Sequence, residues 1–371
     1  MRVLHVISSG GMYGAEAVIL NMSRVLNEGS HTSVLAVFAN SPNPNLQLHE
    51  RAATEGIESH LVPCRGQLDR SAIAGIRDLA QQVKADVVHA HGYKADIYAY
   101  LALRGKAPLI STCHTWYDND LTVRIYGAAD RFVLRKYQRV VAVSDEVRQR
   151  LLKAGVREEK IRLIQNGIDL RPFQHAAPSL RDGLEVDQPL IGLVGRLAPE
   201  KGVDIFLRAA SRVLARMPAS RFVVVGDGPD RTKLESLIDE LHLRQHVSLL
   251  GQRSDMPSVY ASLDVMVSAS RQEGLPIAIL EGMASNRALV ATAVGEVPSV
   301  IANGRTGVLV PAPDEGLLAE AIVNLLSDPE RRARLGMAAA QLVADEFSAE
   351  RMTQDYLRTY EEARAAQKAA R

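Results

Sequence analysis

The sequence predicts an α/β protein built from two doubly wound halves, each with a parallel sheet. Three observations carry this expectation. Short β-branched runs alternate with longer amphipathic stretches along the chain, which is the pattern of βαβ units. The alternation falls into two sets, separated by "LRPFQHAAPSLRDGLEVDQP", which has three prolines and no clear period and reads as a linker. The length, 371 residues, suits two domains better than one.

Taken in order, the first-half strands are "RVLHVIS", "TSVLAVF", a weak one near "ESHLVP", then "DVVHAH", "PLISTC", "RVVAVS" and "KIRLIQ". The second half supplies "PLIGLVG", "RFVVVG", "VSLLG", "LDVMVS", "ALVATA" and "GVLVP". Stretches such as "GAEAVILNMSRVLNEG" and "VDIFLRAASRVLARM" between them carry helical periodicity. A further helix is expected to begin near Pro276. The tail reads as another, N-capped by Ser348 with Glu350 in its first turn. Met352, Tyr356 and Tyr360 then recur every four residues as one apolar stripe.

Composition excludes several classes. Apolar residues make up 47% and charged ones 23%, ordinary for a soluble globular chain. A net charge of +1 gives no basic bias toward nucleic acid, and no nucleic-acid partner is expected. The early "VLHVI" run is too short for a secretory signal, and no stretch is long enough to span a bilayer. Two cysteines, Cys64 and Cys113, make no disulfide framework. The expectation is a reduced, cytoplasmic protein. The segment "LTVRIYGAADRFVLRKYQRV" holds Arg124, Arg131, Arg135, Lys136 and Arg139 among apolar residues. It reads either as a solvated face or as a peripheral contact on the inner face of the membrane.

In doubly wound folds, ligands bind beyond the carboxyl ends of the strands. The first-half ends carry Gly10, Gly11 and Gly14, then His89, His91, His114, Ser144 and Asn166. The second-half ends carry Gly195 and Arg196, then Gly226 to Gly228, Gly251, the run Ser268 to Glu273, and Gly295. A cleft between the halves would collect both sets.

"LVGRLAPEKG" places Arg196 and Lys201 at a strand end before a helix. Two cations there suit a diphosphate, Arg by bidentate contact and Lys as a compact charge. The same residues also fit a turn with surface cations. In "EGLPIAILEG", Glu273 precedes the helix and Glu281 lies inside it. Eight helical residues rise ~12 Å, about the span from a sugar across a diphosphate to a ribose. Glu281 could accept from ribose hydroxyls, Glu273 from a sugar, and the N–H groups near Gly274 and Leu275 could face phosphates. A carboxylate at a helix N-terminus plus a solvated one fits equally well.

"SSGGMYGAE" only nearly matches a dinucleotide fingerprint, with Ser9 for the first Gly, and Asn40 stands where an acidic residue would end the second strand. There is no P-loop and no GxSxG elbow. His89 and His91 share one strand face, which would suit a metal, but no third ligand is apparent. His114, followed by Trp116 and Tyr117, could hydrogen-bond a sugar hydroxyl while the aromatics cover a ring, or could be a satisfied loop histidine.

Together these segments resemble the retaining glycosyltransferases of family 4, which have the GT-B fold. "GRLAPEKG", the spacing of Glu273 and Glu281, "GGMYGAE", "HAHG", "VSDEVRQRLLKAG" and "NGID" match that family in order across the whole chain. The resemblance implies two facing Rossmann-like domains with a cleft between them. Residues 1–170 would bind the acceptor and residues 171–347 the nucleotide sugar, with a helix over residues 348–366 crossing back to the first domain. Arg196 and Lys201 would bind the diphosphate, Glu281 the ribose and Glu273 the donor sugar. Gly11, Gly195, Gly274 and Leu275 would approach the donor, and His114 would lie beside the transferred sugar. Tyr13, His91 and Trp116 are acceptor-side candidates. The family works without an essential metal or other cofactor.

Three departures fall near the donor site. This chain has Gly282 in "EGMA" where the family often has Ala. It has Asn286 through Ala288 where Gly–Pro is common. It also has "GEVPS", with Glu296, where "GG-x-PE" is common. The expected activity is retaining transfer from a nucleotide-diphosphate sugar, a UDP-sugar first, to a glycan or lipid-linked acceptor in polysaccharide or glycolipid biosynthesis. A UDP-sugar epimerase and a non-catalytic sugar-nucleotide-binding protein are the alternatives, with an NAD oxidoreductase last.

Overall fold

The structure, a computed structural model, describes residues 1–12, 14–66, 68–114, 121–181, 188–273, 277–311 and 313–369, with 121–126 and 128 by backbone only. The chain forms two compact units, Met1–Gly167 with Ala349–Arg371, and Ile168–Ser348.

The first unit runs β1 (Arg2–Ile7), α1 (Gly14–Glu28), β2 (Thr32–Ser41), α2 (Gln47–Thr54), β3 (Glu58–Arg65), α3 (Arg70–Gln82) and β4 (Val87–His91). It continues with α4 (Tyr93–Leu103), β5 (Leu109–Cys113), α5 (Leu121–Leu134), β6 (Arg139–Ala142), α6 (Asp145–Lys153) and β7 (Ile161–Leu163). Its sheet has the order β3-β2-β1-β4-β5-β6-β7, and every pairing is parallel. The reversal of direction between β1 and β4 makes this a doubly wound sheet. Its central strands are buried on both faces, including their polar residues His5, His89, His91, Ser111 and Thr112.

The second unit opens with α7 (Arg171–Gln174), then β8 (Leu190–Val194), α8 (Val203–Leu214), β9 (Arg221–Val225), α9 (Arg231–Glu240), β10 (Val247–Gly251), α10 (Met256–Ser262) and β11 (Val265–Ser268). It closes with α11 (Ile277–Ala284), β12 (Ala288–Thr292), α12 (Val297–Val300), β13 (Val308–Val310), α13 (Glu315–Leu326) and α14 (Pro329–Glu346). The sheet order is β10-β9-β8-β11-β12-β13, again parallel. Pro276 lies outside the described residues.

The described part of the expected linker before residue 182 is not a free connection. Phe173 packs against the Tyr260 ring at 6.1 Å, and the N–H groups of Ser179 and Leu180 donate to Ser262 Oγ at 2.9 and 3.0 Å. An aperiodic, proline-rich stretch can dock through backbone donors and one aromatic, and neither leaves a period to read.

The last helix, α15 (Ala349–Ala369), returns to the first unit. Met352, Tyr356 and Tyr360 are buried, as their spacing predicts. Tyr356 hydroxyl meets Thr112 Oγ1 at 3.0 Å and Tyr360 hydroxyl meets His89 Nδ1 at 2.8 Å. Glu362 accepts from Arg139 Nε at 2.8 Å and Arg162 Nη2 at 2.6 Å, pinning the helix to β6 and β7. No described helix is long and apolar enough to cross a membrane.

One feature of the first core is destabilising. Asp96 on α4 is fully buried beside Asp130 of α5. Burial, then the neighbouring Asp130, pushes its carboxyl well above the usual range. A carboxyl raised on folding stabilises the fold at low pH and loses that contribution as pH climbs from the ordinary value through the raised one. Asp96→Asn is therefore expected to raise the melting temperature, with a gain that widens from mildly acidic to neutral pH in thermal scans.

Candidate functional site

In the second unit, the loops after β8 and β11 form one clamped structure. β8 delivers Gly195 and Arg196 to its carboxyl end, and Arg196 is exposed. Lys201 closes the short turn before α8. A Cβ added at Gly195 would sit 3.7 Å from Lys201 Cδ, so the aliphatic stem of Lys201 passes beside that glycine. Its ammonium donates to Glu273 Oε1 at 2.6 Å and Oε2 at 2.8 Å. Ser270 Oγ adds a third hydrogen bond to Glu273 at 2.7 Å. The Glu273 side chain is 8% exposed and that of Lys201 26%, so the pair is shielded on the carboxylate side and open on the cation side. Lys201, Glu273, Ser268 and Ser270 line a pocket together with the ends of β8 and β11.

A second clamp holds the loops together. Arg271 reaches both oxygens of Asp204, in the first turn of α8, at 2.8 and 2.7 Å, and the carbonyl of Pro199 at 2.9 Å. Its backbone N–H donates to the Glu200 carbonyl at 2.8 Å. Thr292 Oγ1, at the end of β12, donates to the Ser270 carbonyl at 2.6 Å.

Glu281 sits inside α11 in an apolar setting of Tyr260, Ile279, Leu280 and Met283. Tyr260 hydroxyl donates to Glu281 Oε2 at 2.7 Å. Burial pushes the Glu281 carboxyl up to about 7, and the Tyr260 hydrogen bond opposes that rise. The departures have local reasons. A Cβ at Gly282 would meet Met266 Sδ at 2.2 Å, so the sulfur occupies the place of an alanine methyl. Asn286 takes a left-handed conformation at φ 57°, which Asn tolerates. Glu296 accepts from Ser299 Oγ at 3.2 Å at the start of α12.

In the first unit, Ser9 Oγ lies 2.9 Å from Glu16 Oε1 and 2.9 Å from the Gly11 carbonyl, fixing the glycine turn ahead of α1. Asn40, at the end of β2, donates to Ser8 Oγ at 3.1 Å and receives Lys94 Nζ at 2.5 Å. His114 Nε2 lies 3.5 Å from His91 Nδ1, and His91 Nε2 lies 3.1 Å from His5 Nδ1. His91 is thus buried behind His114. Burial pushes the His114 imidazole down to about 4, so it is neutral at pH 7. His89 and His91 are held well below their ordinary value by burial and by the neighbouring histidines.

The expectation that His89 and His91 lack a third partner is corrected here. β1 lies beside β4 and puts His5 opposite His89 in register. One ring nitrogen from each of His5, His89 and His91 lies within 4.8 Å of the others. The two His89 nitrogens pair with Tyr360 hydroxyl and Thr112 Oγ1, and those of His91 with His5 and His114. The cluster is a hydrogen-bonded network of the core.

Tyr13, Trp116, Gly274 and Leu275 lie outside the described residues. Sequence reasoning did not find Tyr260, Ser270, the Arg271–Asp204 clamp or His5. Ser270 and Arg271 stood within the run Ser268 to Glu273 already singled out. The others become neighbours through the strand order.

The model of the glycosyl transferases group 1 matches residues 180–342, and that of Glycosyltransferase Family 4 matches residues 12–171. An alpha-D-kanosaminyltransferase of Streptomyces kanamyceticus is 34% identical over 283 residues, covering 70% of this chain and 73% of its own. An N-acetyl-alpha-D-glucosaminyl L-malate synthase of Bacillus anthracis is 25% identical over 367 residues, covering 95% and 94%. Among solved structures, Anabaena HepE in complex with UDP and glucose superposes with a TM-score of 0.81 at 22% identity, over 97% of this chain and 99% of that one. That likeness extends to the two-domain GT-B architecture.

Proposed function

The chain belongs to glycosyltransferase family 4 and has its GT-B fold, and on that premise we propose that it is a retaining, metal-independent enzyme. It moves a sugar from a nucleotide-diphosphate sugar, a UDP-sugar first, to a hydroxyl of a glycan or lipid-linked acceptor, in polysaccharide or glycolipid biosynthesis. The relatives support transfer of a sugar: one is named for kanosamine transfer and one for a glucosaminyl malate product. The bound UDP of the Anabaena structure supports a uridine donor.

The observation that carries the reading is the Lys201–Glu273 pair at the ends of β8 and β11, with Glu281 held two turns along by Tyr260. In this reading Arg196 and the open side of Lys201 take the diphosphate, Glu273 the donor sugar and Glu281 the ribose. Gly195, Gly274 and Leu275 complete the donor site. The acceptor hydroxyl attacks the anomeric carbon from the face the diphosphate leaves. The bond from that carbon to the phosphate oxygen breaks, its electron pair stays on the phosphate, and the acceptor proton passes to that oxygen. Negative charge builds on the diphosphate, where the two cations are aimed. Neutral His114 hydrogen-bonds a hydroxyl of the transferred sugar, Gly11 lies near it, and Tyr13 and Trp116 serve the acceptor side; His91, expected there too, is buried with both ring nitrogens engaged and backs His114 instead. The protein acts in the cytoplasm, with peripheral contact to the inner face of the membrane through the basic segment around Arg131 and Lys136.

Thermal unfolding of the purified protein with UDP, GDP, ADP or NAD, without added metal, tests this reading. A ligand that binds only the folded state raises the melting temperature. UDP alone is expected to raise it by several degrees. A shift with GDP or ADP alone keeps the class and changes the donor, and a shift with NAD alone overturns the proposal.

A further inference from the structure

α10 and α11 lie side by side, and Tyr260 is fully buried between them. A buried phenol needs a hydrogen-bond partner, and this one has found a carboxylate at 2.7 Å, Oε2 of Glu281. Burial and then Glu281 push the Tyr260 phenol well above its ordinary value, so its hydroxyl stays a donor throughout the neutral range. Glu281 Oε1 has no hydrogen-bond partner among the described residues. One oxygen of the carboxylate is therefore tethered and the other is available.

We propose that Tyr260 is a positioning residue of the nucleotide site, which holds Glu281 so that its second oxygen meets a ribose hydroxyl. The inference rests on the donor-site reading above. It gives a reason for a tyrosine inside an otherwise apolar cluster, where phenylalanine would fill the same space. The tether removes rotamer freedom from a long side chain before the ligand arrives, which is pre-organisation.

The same contact sets how binding responds to pH. Burial pushes the Glu281 carboxyl up to about 7, and a donor to its charged form pulls it down. Among the described residues, no charged neighbour adds to burial and Tyr260 in shifting Glu281, and cations on or beside the elements packed against α11 are engaged elsewhere. Arg171 of α7 pairs with Asp169. Arg287, after α11, reaches the carbonyls of Ser285 and Leu263. Arg332 of α14 lies toward the Leu325 and Leu326 carbonyls and Asp264. Removing the Tyr260 hydroxyl should therefore delay ionisation of Glu281 to higher pH.

The test is calorimetric titration of the full chain with UDP from pH ~5.5 to ~8.5, a window around the raised carboxyl. Wild-type affinity is expected to rise with pH through about 7. Tyr260→Phe should bind UDP roughly tenfold more weakly at neutrality, with the rise displaced upward by about one pH unit. Glu281→Gln should bind weakly with a flat profile. Should Tyr260→Phe fail to fold, a difluorotyrosine at position 260 keeps the ring, strengthens the donor and should move the rise to lower pH. Wild-type and Tyr260→Phe profiles that superpose, or an unmoved difluorotyrosine profile, overturn the inference while UDP binding stands. Absence of wild-type UDP binding at every pH overturns the donor-site reading and the inference with it.

Discussion

Arg196→Ala combined with Lys201→Ala is expected to lower turnover by about 10³-fold or more, the scale seen when donors aimed at developing negative charge are removed. The reason is the geometry around Glu273. Lys201 is held by both carboxylate oxygens on one side and is open on the other, so its charge is fixed in place before any phosphate arrives. Arg196 stands exposed at the end of β8, five residues before it. The fold should survive, because Ser270 Oγ still donates to Glu273 and the Arg271–Asp204 clamp still joins the two loops. Circular dichroism should match the wild type, and the melting temperature should fall modestly from the carboxylate left unpaired. Lys201→Arg keeps the charge and should retain more activity than Lys201→Ala. Normal transfer by the folded double variant would refute the site assignment.

The second large effect comes from a glycine packed against the backbone of Glu273. Gly295 follows β12 with φ +54°, and a Cβ there would lie 1.7 Å from the carbonyl oxygen of Glu273 and 2.8 Å from its carbon. Gly295→Ala must displace the backbone that carries Glu273. Misplacing a reacting group by ~1 Å can cost ~10²-fold in rate, and that is the expected loss of turnover. Gly304→Ala separates this displacement from conformational strain. Gly304 has φ +74° but nothing within 4 Å of an added Cβ. Left-handed strain of about 1–2 kcal/mol is then its main cost. Thermal scans should show both variants destabilised and Gly295→Ala the more so, while assays should show only Gly295→Ala impaired. Equal turnover in the two variants would mean that the Glu273 loop is not held in place by Gly295.

Much of this architecture was legible one segment at a time. Each expected strand is present, from "RVLHVIS" to "GVLVP", because continuous β-branched runs report burial on both faces of a sheet. The weak "ESHLVP" run became an eight-residue edge strand, since an edge position buries only alternate residues. The apolar stripe of α15 was readable because helical spacing puts Met352, Tyr356 and Tyr360 on one face. Lys201 and Glu273 could be named from charge type and their place between a strand end and a helix start, and Glu281 from its spacing eight residues beyond Glu273.

The sequence alone determined two doubly wound halves, the strands, and the short list of polar groups at their carboxyl ends. Only the tertiary structure decided which of those groups meet. Lys201 pairs with Glu273 across 72 positions, Tyr260 with Glu281 across 21, and Arg271 with Asp204 across 67. His5 stands beside His89 because β1 lies next to β4. The physical reason is range. Periodicity and capping act over one or two turns, whereas these pairings follow from strand order. Strand order is settled when whole helices and sheets bury their faces together, and no local pattern encodes it.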